Sequence, residues 1–165
     1  MYSKISEFIS DFDLETAATL KVLNNLTDKS LNQKVTDNGR TLGKIAWHIA
    51  GSLGEIGSTA LLPINRIDEK PVPEKASTIV TEYSNSAASL KEAVMKVWND
   101  DSLKEEVDMY GQKWTRGQAL SAMIVHQIHH RGQMTILMRQ AGLKVPGVYG
   151  PAIEEWEAMG MSPQE

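Results

Sequence analysis

The sequence contains no cysteine. That excludes a thiolate nucleophile, an iron–sulfur cluster, a Cys-rich zinc finger and a disulfide framework. Basic residues are too few for an electrostatic nucleic-acid binder: 17 Lys and Arg stand against 21 Asp and Glu, a formal net charge of −4, whereas phosphate recognition needs concentrated positive charge. No run reaches the roughly 18 uninterrupted apolar residues of a membrane span. The first residues, MYSKISEFISDFDLE, carry charges where a signal peptide would carry its apolar stretch. These absences predict a cytoplasmic globular protein with neither nucleic-acid nor membrane partners. At 165 residues the chain is expected to form one domain over 1–165, burying about 68–70% of its unfolded surface without disulfides or structural zinc.

What is present is helical periodicity. Ile5, Phe8, Ile9, Phe12, Ala17, Leu20 and Leu23 recur at three- and four-residue steps, an amphipathic stripe that predicts a helix from about Ser3 to Asn25. A polar link follows, in which Asn38-Gly39 marks a turn and admits a hairpin. Thr41 is placed to cap a second helix from Leu42 to about Ala60, ended by Pro63. The stretch from Pro63 to Lys75 holds three prolines and reads as a surface connection. A third helix is expected from Ser77 to Asn99, burying Ile79, Tyr83, Leu90, Val94, Val97 and Trp98. Leu103 to Trp114 is ambiguous, extended or irregular. Thr115-x-x-Gln118 matches a capping box and sets the next helix at Arg116 to Gln140, with Gly142 at its C′ position. A last helical turn is expected at Ala152 to Ala158. No strand pattern competes, so the predicted class is all-α, a four-helix bundle.

The four histidines are the most informative residues. His126, His129 and His130 lie in AMIVHQIHHRGQM on the fourth helix, and His48 in KIAWHIAGS on the second. On the fourth helix Ala119, Leu120, Met123, Met134, Leu137, Met138 and Ala141 form one apolar arc. His130 falls inside it, His126 at its edge and His129 outside it. His126 and His130, four residues apart, stack on one helix face and can reach one ion. His48 borders the second helix's stripe of Leu42, Ile45, Ile49 and Ile56. Bundle interiors build metal sites from facing helices, and three imidazoles suit zinc, nickel, copper or iron with a position left open. The competing reading is that inward histidines only satisfy hydrogen bonds in the core.

Other residues carry paired readings. Glu55 is a fourth ligand, a general base or a solvated charge. His129 is an auxiliary ligand or a surface or subunit contact. Trp47 walls the site or packs in the core, while Trp98, Trp114 and Trp156 are read as packing. Tyr149 folds over the bundle end or lies on the surface. Arg131 and Gln133 orient a ligand or face solvent. Gly132 inside a helix suggests close backbone approach. Val125 and Ile136 lie on the fourth helix away from the core arc, with Ile124 and Ile128 flanking it. A helix apolar nearly all round is buried all round, which predicts a homodimer or cover by the Val145–Pro151 tail.

The motifs HQIHHRGQM at 126–134, GKIAWHIA around His48 and RQAGLKVPGVYGP at 139–151 resemble the DinB/YfiT-like family of metalloenzymes, over roughly Ser3 to Pro151. The resemblance implies a DinB-like helical bundle, often dimeric, whose divalent metal would be held here by His48, His126 and His130. It also implies a small-molecule substrate. Members include low-molecular-weight thiol S-transferases, mycothiol-dependent isomerases and proteins that look hydrolytic. A metal on three imidazoles can activate water or a thiol. With no cysteine in the chain, a transferred thiol must belong to a cosubstrate. Alternatives from other classes are a non-catalytic metal-binding or stress-response protein and a purely structural helical dimer.

Overall fold

A computed structural model of the chain describes residues 1–162; the last three residues of the expected domain, 163–165, lie outside the described residues. Helices dominate: α1 (Ile5–Leu23), α2 (Leu42–Thr59), α3 (Ala76–Val97) and α4 (Arg116–Gln140) are long, and α5 (Ile153–Trp156) is a single turn. Each of α1 and α2 packs against both α3 and α4. One contiguous core unites them, with Phe8, Phe12, Leu42, Ile49, Leu53, Ile79, Leu90, Leu120 and Met138 fully buried.

The local signals act where they were expected. The Thr41 hydroxyl accepts from the Lys44 amide at the start of α2. Thr115 and Gln118 form a reciprocal capping box on α4, which satisfies two donors the first turn leaves free. At the other end Gly142 takes φ 73°, and the Leu143 and Gly142 amides donate back to the carbonyls of Met138 and Arg139. This Schellman closure needs a left-handed residue, which glycine supplies at little cost.

Three expectations need correction. The class is mostly helical rather than all-α, because β1 (Glu106–Met109) and β2 (Gln112–Thr115) pair antiparallel. Val107 and Met109 point inward while Glu106 and Asp108 face out, so a period-two pattern is present but only four residues long. Its turn is Tyr110-Gly111, both in the left-handed region at φ 58° and 81°, the backbone that a two-residue hairpin requires. Val97, expected in the core, is 49% exposed, since α3 ends at that residue and Trp98 turns in instead. Asn38-Gly39 lies in a single turn closed by the Gly39 amide on the Thr36 carbonyl, not in a hairpin.

The 60–75 connection matters most for the site. It lies against α2, where a Cβ at Gly54 would collide with the Asn65 carbonyl and one at Gly57 with Ile64. The missing side chains let the connection approach the helix backbone, and the Trp47 indole donates to the Asp68 carbonyl at 2.9 Å.

Candidate metal centre

The fold brings His48 of α2 together with His126 and His130 of α4. One nitrogen from each ring lies within 4.8 Å of those from the other two, and the ring centroids are 4.4 to 5.0 Å apart. His130 is buried and the other two are half-buried. Among the described residues this is the one cluster of metal-ligating type.

Hydrogen bonds orient two of the rings. His48 Nδ1 lies 2.5 Å from Glu69 Oε1, and Lys44 holds the other carboxylate oxygen at 2.5 Å. His130 Nδ1 lies 2.7 Å from Gln133 Oε1. Each Nδ1–H donates outward, which leaves the Nε2 lone pair for the interior; metal-ligating histidines are commonly held in this way. His48 Nε2 and His126 Nε2 are 3.2 Å apart. That contact is attractive only with a proton or a cation between them. Two imidazole nitrogens on one tetrahedral zinc would lie about 3.3 Å apart at ordinary Zn–N lengths. The donor set therefore fits a divalent ion of borderline softness.

Electrostatics favour the neutral, ligating form. Burial pulls the His126 imidazole down to about 4, and the charges of His130, His48, His129 and Arg40 reinforce it. Burial also lowers His130, against the opposing effect of its hydrogen bond to Gln133. At Glu69 burial raises the carboxyl, but the hydrogen bonds and charges of Lys44 and His48 outweigh it and hold it at about 2. Glu69 is thus an anion at neutral pH, braced between a lysine and an imidazole.

Two clefts flank the cluster. One, of about 290 Å³, is lined by Glu55, Ile56, Tyr110, Trp114, Ala122 and His126. Glu55 accepts from the Tyr110 hydroxyl at 2.9 Å, so it borders the site through the hairpin and does not join the three rings. The other, of about 310 Å³, is lined by Val35, Arg40, Ile45, His130, Gln133 and Leu137, with Gly39 at its edge.

The remaining candidates fall elsewhere. Exposed His129 accepts from Gln133 Nε2 at 3.0 Å, and Gln133 thereby bridges it to His130. Arg131 does neither thing expected of it. It is 2% exposed, paired with Glu15 of α1 at 2.6 Å, and bonded to Thr19 and the Tyr149 hydroxyl. Tyr149 also donates to Glu15, so it fastens the tail to α1 rather than reaching the histidines. No close approach occurs at Gly132, where an added Cβ meets only open space. Val125 and Ile136 are 63% and 58% exposed, so the Val145–Pro151 tail does not cover them. Sequence reasoning missed Glu69, which the proline-rich connection concealed, and the hairpin residues Tyr110 and Trp114. A carboxylate on a segment following the His48 helix was the available signal.

The family model described as the DinB family matches residues 1–165. The uncharacterized protein YrdA of Bacillus subtilis (strain 168) is 43% identical over 162 residues, 98% of this chain and 97% of that protein. A crystal structure of a DinB-like protein from Bacillus cereus ATCC 10987 superposes with a TM-score of 0.87 at 41% identity, covering 90% of this chain and all of that one. A second, the DinB-like protein YjoA of Bacillus subtilis, gives 0.69 at 14% identity over 86% of this chain and 97% of its own, a likeness of fold alone. No helix among the described residues is long and apolar enough to cross a membrane.

Proposed function

The chain belongs to the DinB family, and we propose on that footing that it is a metal-dependent enzyme, a thiol S-transferase or hydrolase, whose divalent ion is held by His48, His126 and His130. The observation that carries this reading is the convergence of three imidazoles, two of them with Nδ1 engaged, which leaves Nε2 as the free acceptor. Zinc or nickel suits three neutral nitrogens with a position left for substrate. When bound, the ion supplies Lewis acidity that lowers the pKa of water or of a thiol.

The chain's own residues do the rest. Glu69, braced by Lys44, fixes the His48 ring and its tautomer. Gln133 does the same for His130. Glu55 is the carboxylate beside the His126 cleft and can take a proton from a group entering there. Tyr110 and Trp114 wall that cleft with apolar surface. A nucleophilic thiol would come from a small-molecule cosubstrate, because the chain has no cysteine.

We read the protein further as a single domain whose four long helices form the DinB/YfiT-type bundle, supported by one continuous core. It is read also as a homodimer through the exposed outer face of α4. Val125→Glu would then shift the sedimentation coefficient from dimer to monomer, and a wild-type protein that sediments as a monomer would overturn the dimer.

The first test is elemental mass spectrometry on tag-free protein. Near one equivalent of zinc or nickel per chain is expected, and its loss in His130→Ala. No metal in the native protein and no uptake on reconstitution would remove the enzyme reading.

A further inference from the structure

We propose that Arg40 is an anion-recognition residue, and that the cleft between the 33–41 link and α4 takes a carboxylate-bearing small molecule by its anionic end. The inference deepens the proposed function by naming a substrate class, and rests on that function only for what happens at the reacting end.

Three observations carry it. The first is the composition of the cleft: Val35, Ile45 and Leu137 supply apolar walls, while Arg40 is the one formal charge among the lining residues. An alkyl or aryl body with one terminal anion matches that surface.

The second is that Arg40, exposed at the end of the link, forms no ion pair among the described residues. The carboxylates of the same link and of the histidine cluster face groups other than Arg40. Asp37 of the same link faces Lys34, Glu69 is held by Lys44 and His48, and Glu55 by Tyr110. A guanidinium offers five donors in a planar fork that fits a carboxylate in two places.

The third is charge balance around the histidines. Arg40 lines the same cleft as His130. Lys44 cancels Glu69, which leaves Arg40 as the uncompensated charge on that side of the cluster before any ion binds. Such a field concentrates and orients an anion. With one end on Arg40, a bound molecule extends along the His130 side of the cluster.

The test uses metal-free protein, so it does not depend on metal uptake. The probes are hexanoate and its uncharged isostere hexanamide, followed by nitrogen–proton correlation spectra of the Arg40 Nε–H and the amides of residues 130–137. Hexanoate is expected to produce saturable shifts there and to bind about fivefold more tightly than hexanamide, the scale of one partly exposed ion pair. In Arg40→Gln that preference should vanish; the Arg40 side chain makes no hydrogen bond among the described residues, so an unchanged melting temperature checks that only recognition was altered. Equal binding of the two probes, absence of saturable shifts, or a preference that survives in Arg40→Gln would overturn the proposal. A zinc titration of the same sample separates the two readings. Carboxylate recognition without zinc uptake leaves Arg40 standing and removes the metal enzyme, and the reverse result does the opposite.

Discussion

Glu69 shows how one side chain sets the character of a site it does not line with its own lone pairs. Its carboxylate accepts from His48 Nδ1 and from Lys44 Nζ, so the imidazole presents Nε2 inward in one tautomer. Removing the charge while keeping the shape should loosen that choice. Glu69→Gln is expected to weaken zinc binding about 10- to 100-fold, the usual effect of losing a partner behind a ligating histidine, with the melting temperature nearly unchanged. Competition against a fluorescent chelator measures it; wild-type affinity in the variant would remove the orienting role. Arg131 is a different kind of residue. It neighbours His130 in the chain yet points the other way, into a buried pair with Glu15, so sequence adjacency to a ligand says little about which face of a helix a side chain serves.

At the scale of elements, α4 is the helix on which everything converges, and two glycines, one within it and one just past its end, have opposite meanings. Gly132 lies mid-helix with open space where a Cβ would be, so Gly132→Ala should stabilise the protein by about 1 kcal/mol through helix propensity alone. Gly142 closes the helix at φ 73°, where an L side chain costs roughly 1 kcal/mol or more, and Gly142→Ala should destabilise it. Urea unfolding of the pair gives midpoints displaced in opposite directions; the same sign in both would contradict these roles. The β1–β2 hairpin is short, but its turn carries Tyr110 to Glu55 and its second strand carries Trp114 to the His126 cleft. A left-handed tyrosine at the tip is strained for a residue with a Cβ, and it is this backbone that projects the ring across the cleft.

For the whole molecule, polar groups inside the helical core set the response to alkali. Tyr83 of α3 is fully buried and donates to Gln127 of α4. Burial pushes its hydroxyl up from 10 to about 12, outweighing polar neighbours that favour the ionised form. A folded pKa above the unfolded one means stability that is complete below about pH 10 and lost as pH rises toward about 12, at ~1.4 kcal/mol per unit. Tyr83→Phe has no proton to lose there, so its urea midpoint should fall less steeply than wild type across that window. Identical slopes would show that Tyr83 ionises without unfolding. Tyr110, also raised to about 12 by burial and by Glu55, is common to both proteins and does not obscure the comparison.

The sequence by itself determined what depends on near neighbours along the chain. The four long helices, the caps at Thr41 and Thr115, the Schellman glycine at 142 and the placing of His126 and His130 on one face all follow from spacings of three or four residues and from single-residue backbone preferences. His48 was legible as a third inward histidine by the same periodicity. Only the tertiary structure decided the rest, because it depends on segments meeting across long loops. Glu69 reaches His48 from 21 residues away, along a path that Gly54 and Gly57 leave open and that no local pattern in a proline-rich stretch announces. The hairpin escaped because four-residue strands carry too few alternations to outweigh their helical surroundings. Arg131 and Tyr149 found each other, and Glu15, only when α1, α4 and the tail were packed together. Arg40 was an unremarked link residue until folding set it beside the histidines.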